Sequence, residues 1–286
     1  MRLLDNEWKG RAAISVRASA RAMVVVAVAL TFGVPSVSVA QPKEVRRIGY
    51  LALDSAELHA PYAAAFRNGL RENGYIEGQN VAIVWRFAGY NPATLTDLAS
   101  ELVSLKVETI VADGTQAALA AKRATRAIPI VVPTSGDLVG AGLVASLARP
   151  GGNLTGLTLM SPGLIGKRLA LLKEMAPRVQ RVAMLVNPDN PSCALQLQEA
   201  QTAAPSIGLG VHATSIRQGD DIDRVIPPLI GRADAILLCD DVLMDAHRTQ
   251  IGTLAIRNRL PSICGYPLPE DKVCLMWYWP RAPQHV

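Results

Sequence analysis

Short apolar, β-branched runs alternate with helix-patterned segments from Arg46 to Gly265, and this alternation constrains the fold more than any other feature of the chain. Strands are predicted at Arg47 to Leu53, Val81 to Phe87, Thr109 to Ala112 and Ile128 to Val132, each closed by Gly, Pro, Asp or Asn. Helices are predicted between them. Pro61 to Asn73 carries Tyr62, Phe66 and Leu70 four residues apart on one face and stops at Gly74; Pro92 to Leu105 and Gln116 to Ala127 repeat the arrangement. A βαβαβαβ order predicts a parallel sheet with helices on both faces.

The next segment, IPIVVPTSGDLVGAGLVASLARPGGNLTGLTL, reads as a buried strand, a Ser/Gly/Asp loop, a short helix beginning near Val139, an Arg-Pro-Gly-Gly turn and a second strand. A second cycle follows Gly156. Its expected elements are a helix at Pro162 to Met175, a strand at Arg181 to Val186, a helix at Ser192 to Ile207 and a strand at Gly210 to Ser215. Helical residues from Asp220 to Ile230, a strand at Ala235 to Cys239, a helix at Leu243 to Asn258 and a strand at Ser262 to Gly265 complete it. Two α/β halves joined at Asn153 to Met160 would leave a cleft between them, a favoured place for a small ligand.

The first 40 residues differ from this body. Arg17 and Arg21 precede the apolar run Ala22 to Val34, which is followed by Pro35 and the small residues Ser36 to Ala40. This is the layout of a secretory signal, with cleavage expected after Ala40. The apolar run falls short of the ~20 residues that span a bilayer. The leader also carries +3 of the net charge of +5, so the body is too weakly basic for a nucleic-acid footprint.

Cys193, Cys239, Cys264 and Cys274 show no CxxC spacing, and three sit in or beside apolar runs, which predicts buried free thiols. The four histidines are scattered, so no metal site is expected.

The stretches GTQAALAAK, LARPGGNLTG, GKRLALLKEMAP, RVAMLVNPDNP and LPSICGYPLPEDKVCLMWYWP resemble the substrate-binding proteins of a bacterial ABC uptake family, the group with tryptophan- and tyrosine-binding members. The resemblance runs from about Arg46 to Pro280. It implies an α/β fold of two Rossmann-like lobes with parallel sheets, the periplasmic binding protein type 1 arrangement. The implied organisation is a signal peptide at 1–40, a first lobe at 41–156, a second lobe at 157–280 and a short tail at 281–286. Family members continue past the segment matching Met276 to Pro280, so the last elements are expected to be missing and the first lobe to expose apolar surface. The implied function is a periplasmic solute receptor that holds an amino acid or related organic solute and presents it to an ABC permease in the inner membrane. No reaction, cofactor or nucleic-acid partner is implied.

Loops after parallel strands supply the candidate ligand-binding residues. Ser55 lies in the first. Thr115 and Gln116 open a helix, with Thr115 either capping it or turning its hydroxyl to a ligand. Ser135 and Asp137 follow, Asp137 pairing with a ligand amino group or capping the next helix. In the second half the resemblance favours Asn187 for the cleft, although Asn-Pro pairs also make turns. Of Asp240 and Asp241, one is expected to face the cleft and the other to cap the helix near Val242. The alternatives are a secreted hydrolase-like enzyme using Ser135, Asp137 and His247, which lacks a GxSxG elbow, or a non-functional truncated family member.

Overall fold

The computed structural model describes residues 45–265 and 274–278; the expected leader and the tail at 281–286 lie outside them. β1 (Arg46–Ala52), β2 (Val81–Phe87), β3 (Thr109–Asp113), β4 (Ile130–Val132) and β5 (Leu154–Gly156) form one sheet in the order β2-β1-β3-β4-β5, with every pairing parallel. β6 (Arg181–Val186), β7 (Gly210–Ser215), β8 (Ala235–Leu238), β9 (Ser262–Cys264) and β10 (Met276–Trp277) form the second, ordered β10-β9-β8-β6-β7, again all parallel. Read from the edge inward, both sheets have the same 2-1-3-4-5 order. In such a sheet the crevice for a ligand opens where the order reverses, outside the carboxyl ends of the first and third strands.

α1 (Ala56–Glu72), α2 (Pro92–Ser104) and α3 (Thr115–Ala124) connect the first four strands. α2 and α3 cover one face, where Leu51, Leu102, Ile110, Ile130 and Val132 are buried together. Gly49 permits this approach, because a Cβ there would lie 2.9 Å from a Leu102 methyl. On the other face α1 covers Tyr50, Ala52 and Val111, while Val131 of β4 stays exposed. α4 (Pro162–Met175), α5 (Pro191–Ala203), α6 (Asp221–Val225), α7 (Val242–Ala246) and α8 (Arg248–Arg257) pack around the second sheet, with Leu169, Leu172, Met184 and Leu237 fully buried.

Four sequence expectations are corrected. α1 begins at Ala56, not Pro61, because Ser55 caps it by accepting from the Leu58 N–H; Pro61 sits inside the helix, exposed to water. No helix follows Asp137. Residues 138–142 form turns, since Gly142 takes φ +67° and Lys122 Nζ captures the carbonyls of Gly142 and Leu143 at 2.7 and 2.9 Å. The apolar residues Leu138, Leu143 and Val144 nevertheless plug the first core. The helix expected over Leu243 to Asn258 is broken into α7 and α8 at His247.

The cysteines are not free thiols. Cys193 pairs with Cys239 across a Cα–Cα distance of 5.4 Å, and Cys264 pairs with Cys274. Cys193 lies in the first turn of α5 and Cys239 directly after β8, so a separation of 46 residues in sequence hides their nearness.

Candidate binding cleft

β1 and β3 end level with one another, Ala52 pairing with Asp113, so Asp54 and Asp113 stand at the point where the first sheet's order reverses. The early start of α1 sets His59, 1% exposed, between them. Its Nδ1 lies 2.9 Å from Asp54 Oδ2 and its Nε2 lies 3.9 Å from Asp113 Oδ2. Asp54 Oδ1 and Asp113 Oδ1 are buried without a hydrogen-bond partner among the described residues. Burial pushes the Asp113 carboxyl up to about 6; His59 opposes that rise and the Asp54 charge adds to it.

Gly114, at φ +87°, turns the chain from β3 into α3 and is itself the residue that precedes the helix. Thr115 is therefore not the cap. Its hydroxyl meets that of Ser135 at 3.0 Å and accepts from the Gly136 N–H at 3.4 Å. The chain leaving the first sheet is held to the same loop, Leu159 N–H donating to the Ser135 carbonyl and Ser161 N–H to that of Gly136.

The second lobe's share converges on Asp241. Its carboxylate accepts from Asn187 Nδ2 at 3.2 Å to each oxygen, from Asn190 Nδ2 at 2.8 Å and from the Leu243 N–H at 2.9 Å. Gln116 Nε2 reaches it from the first lobe at 3.4 Å. Burial raises the Asp241 carboxyl, and these donors pull it partly back. Both roles expected of the Asp240–Asp241 pair thus fall to Asp241, which caps α7 and faces the first lobe. Asp240 turns inward to the fully buried Arg168, whose guanidinium grips it with two bonds of 3.0 and 3.1 Å. Arg168 Nε also donates to the Tyr278 carbonyl at 3.2 Å.

Thr115, Gln116, Ser135, Asn187 and Asp241 are therefore brought together, and Ser55 and Asp240 are spent within their own lobes. Asp137 Oδ1 accepts from the N–H groups of Val139 and Gly140 at 3.0 and 2.9 Å, capping a turn where a helix was expected. The hydrolase grouping does not assemble: His247 Nδ1 lies 3.1 Å from Gln250 Oε1, and the Ser135 hydroxyl is on Thr115. Among the described residues no group of three or more His, Cys, Asp or Glu is arranged to hold a metal ion, and no helix is long and apolar enough to cross a membrane.

The sequence pointed to the loops that hold Asp54, Asp113 and Asn190 but favoured their neighbours Ser55, Thr115 and Asn187, and it gave no pointer to His59 or Tyr90. Asn190 carried a readable signal, since Asn followed by Pro is a helix N-cap with Pro at the first turn, and Asn91-Pro92 does the same for α2. Tyr90, at φ +64°, follows β2 and packs against the second lobe's apolar cluster. Its hydroxyl is buried without a hydrogen-bond partner among the described residues.

The lobes touch through small residues. A Cβ on Gly136 would lie 2.9 Å from the Ser192 Cβ, one on Gly140 2.7 Å from Leu195 Cδ1, and one on Gly114 3.7 Å from Val242 Cγ2. Three glycines of first-lobe loops thus receive α5 and α7 of the second.

A tyrosine-binding protein of Clostridioides difficile strain R20291 is 30% identical over 198 residues, 69% of this chain and 57% of that protein, so the chain spans little more than half the length of this relative. The ABC domain of a Streptococcus pneumonia protein solved with L-Trp aligns at a TM-score of 0.71 and 23% identity, covering 78% of this chain and 75% of that one. A ligand-free, open substrate-binding protein with adhesive properties from Clostridium difficile aligns at 0.51 and 28% identity, covering 76% and 73%. The strand order, the paired lobes and these likenesses describe the periplasmic binding protein type 1 fold. With the model of the ABC transporter substrate binding protein family matching residues 58–268, the chain belongs to that family.

Proposed function

We propose that this protein is the exported solute receptor of an ABC uptake system, closing its two lobes on an amino acid and delivering it to a permease in the inner membrane. The observation that carries this reading is the meeting of strand-end polar groups from both lobes, Thr115, Gln116 and Ser135 from the first with Asn187, Asn190 and Asp241 from the second, joined by the Gln116–Asp241 bond. Hinge closure around such a site sequesters a solute without chemistry. The relatives' tyrosine and L-Trp ligands support an aromatic amino acid as the first candidate. The leader at 1–40, read as a cleaved signal, supports a periplasmic location, with lobes at 41–156 and 157–280.

Thermal unfolding against a panel of L-amino acids and small organic acids tests the reading. A ligand that binds only the folded state at about 100 times its Kd adds roughly 2.7 kcal/mol and raises Tm. L-Tyrosine or L-tryptophan is expected to produce the largest rise. A panel in which no compound shifts Tm contradicts the proposal.

A further inference from the structure

Resting on that reading, we infer that Asp54 and Asp113, with the Tyr90 hydroxyl, form a first-lobe subsite for the ligand's ammonium group. Asp54 after β1 and Asp113 at the end of β3 lie at the strand ends that the reversed order opens, and Tyr90, after the neighbouring β2, is tied to the end of β1 through its N–H on the Leu53 carbonyl.

Two buried carboxylates flank one imidazole, so even a protonated His59 leaves the group with an excess negative charge. No Arg or Lys forms an ion pair with Asp54 or Asp113 among the described residues; His59 is the partner of both. His59 is hydrogen-bonded only to Asp54 Oδ2, its Nε2 standing 3.9 Å from Asp113 Oδ2 without a hydrogen bond, so that Asp54 Oδ1 and Asp113 Oδ1 are buried and unpartnered among the described residues. Buried acceptors in native folds are nearly always satisfied, and an unsatisfied group of this kind calls for a missing donor.

The surroundings sharpen the demand. His59 is walled by rings, with centroids of Tyr50, Phe87 and Tyr62 at 5.1, 5.4 and 5.5 Å. Such a low-dielectric wall strengthens any interaction made inside it and penalises a bare carboxylate. Burial raises the Tyr90 hydroxyl, the Asp54, Asp245 and Asp241 charges add to that rise, and the hydroxyl has no hydrogen-bond partner among the described residues. Its backbone is pinned by the Tyr90 N–H donating to the Leu53 carbonyl at 2.6 Å.

An ammonium group fits this set. It carries one positive charge and three donors, and the subsite offers two carboxylate oxygens and a phenol oxygen as acceptors. The ligand class that follows is a primary amine, with Asp241 on the opposite lobe left to its own four donor groups.

Isothermal titration of the whole protein with L-tyrosine and L-tryptophan, beside the amine-free 3-(4-hydroxyphenyl)propanoate and 3-(indol-3-yl)propanoate, tests this. The amino acids are expected to bind, the amine-free acids to bind at least about 30-fold more weakly, and Asp54→Asn and Asp113→Asn to lose about 30-fold or more for the amino acids. Amine-free acids that bind as tightly, or Asn variants that bind the amino acids unchanged, would overturn the subsite while leaving the receptor reading standing. If no probe binds the wild type, the receptor reading fails with these ligands, and ligand-free melting decides the role of the carboxylates. A vacant ammonium subsite holds unpaired charge, so Asp113→Asn is expected to raise Tm by about 2–4 °C. A lower Tm would make Asp113 a structural partner of His59 and would overturn the inference.

Discussion

At the carboxyl end of the second sheet, Asp241 is surrounded by four donor groups from Asn187, Asn190, Leu243 and Gln116, while its neighbour Asp240 is locked to the buried Arg168. At the carboxyl end of the first sheet, Asp54 and Asp113 flank His59 and each keeps one oxygen without a partner among the described residues. The same strand order thus ends in two kinds of carboxylate. The second lobe also carries a disulfide between Cys193, three residues after Asn190, and Cys239, two residues before Asp241, closing a ring around the Asn190–Asp241 bond. A carboxylate satisfied and braced by its own fold is a fixture; one left short of donors is placed to receive them from a ligand.

Breaking the fixed side should cost the most. Arg168→Ala would strand Asp240 as a buried unpaired charge and should lose about 3–5 kcal/mol in guanidinium unfolding, whereas Arg168→Met with Asp240→Leu should recover most of it. Full stability in the single variant would show that Asp240 finds water or another partner. Replacing Cys193 and Cys239 by Ser should cost about 2–4 kcal/mol. Hydrogen exchange should rise in α5 and β8 and stay unchanged in β1 and β3; an equal rise in both lobes would break the contrast between them.

Gly136→Ala tests the contact between the sides. The added methyl meets Ser192, and overpacking of this kind costs ~1–3 kcal/mol, so the lobes should relax apart. Small-angle scattering should report a larger radius of gyration and titration a weaker amino-acid affinity, with thermal unfolding still cooperative.

The smallest effect sharpens the open side. The Asp113 carboxyl is raised in the fold to about 6, above its ordinary value of 3.8. The folded form holds that proton more tightly than the unfolded chain, so Asp113's contribution to stability is fully present below about pH 4 and is lost as pH rises through 6. Wild type minus Asp113→Asn stability, followed between pH 4 and 7, should decline by an amount on the order of 1 kcal/mol. A rise over that window would mean Asp113 is held as a charge by the fold.

The fold was legible where one local rule governs a segment. Val81–Phe87, Arg181–Val186, Gly210–Ser215 and Pro162–Met175 stand where β-branched runs or helix patterns bounded by turn residues predict them. Pro61 misled because Pro is common at a helix start, whereas its solvent-facing position lets α1 bear it further in. Leu138, Leu143 and Val144 have a core-facing spacing, but Gly140 and Gly142 in the same stretch favour turns over helix. Loops after strands pointed to Thr115, Gln116, Ser135, Asn187 and Asp241, which do converge. What the sequence could not reveal depends on two elements at once: that Arg168 on α4 captures Asp240, that Cys193 reaches Cys239, and that His59 joins carboxylates from two strands.

A crystal structure of the protein grown with the amino acid that most raises its Tm decides whether Asp54 and Asp113 hold the ligand. One ligand is expected enclosed between the lobes, its ammonium within about 3 Å of Asp54 and Asp113 and its remainder in contact with second-lobe residues. A ligand bound outside the cleft, or one in the cleft with Asp54 and Asp113 still unpartnered, would contradict it.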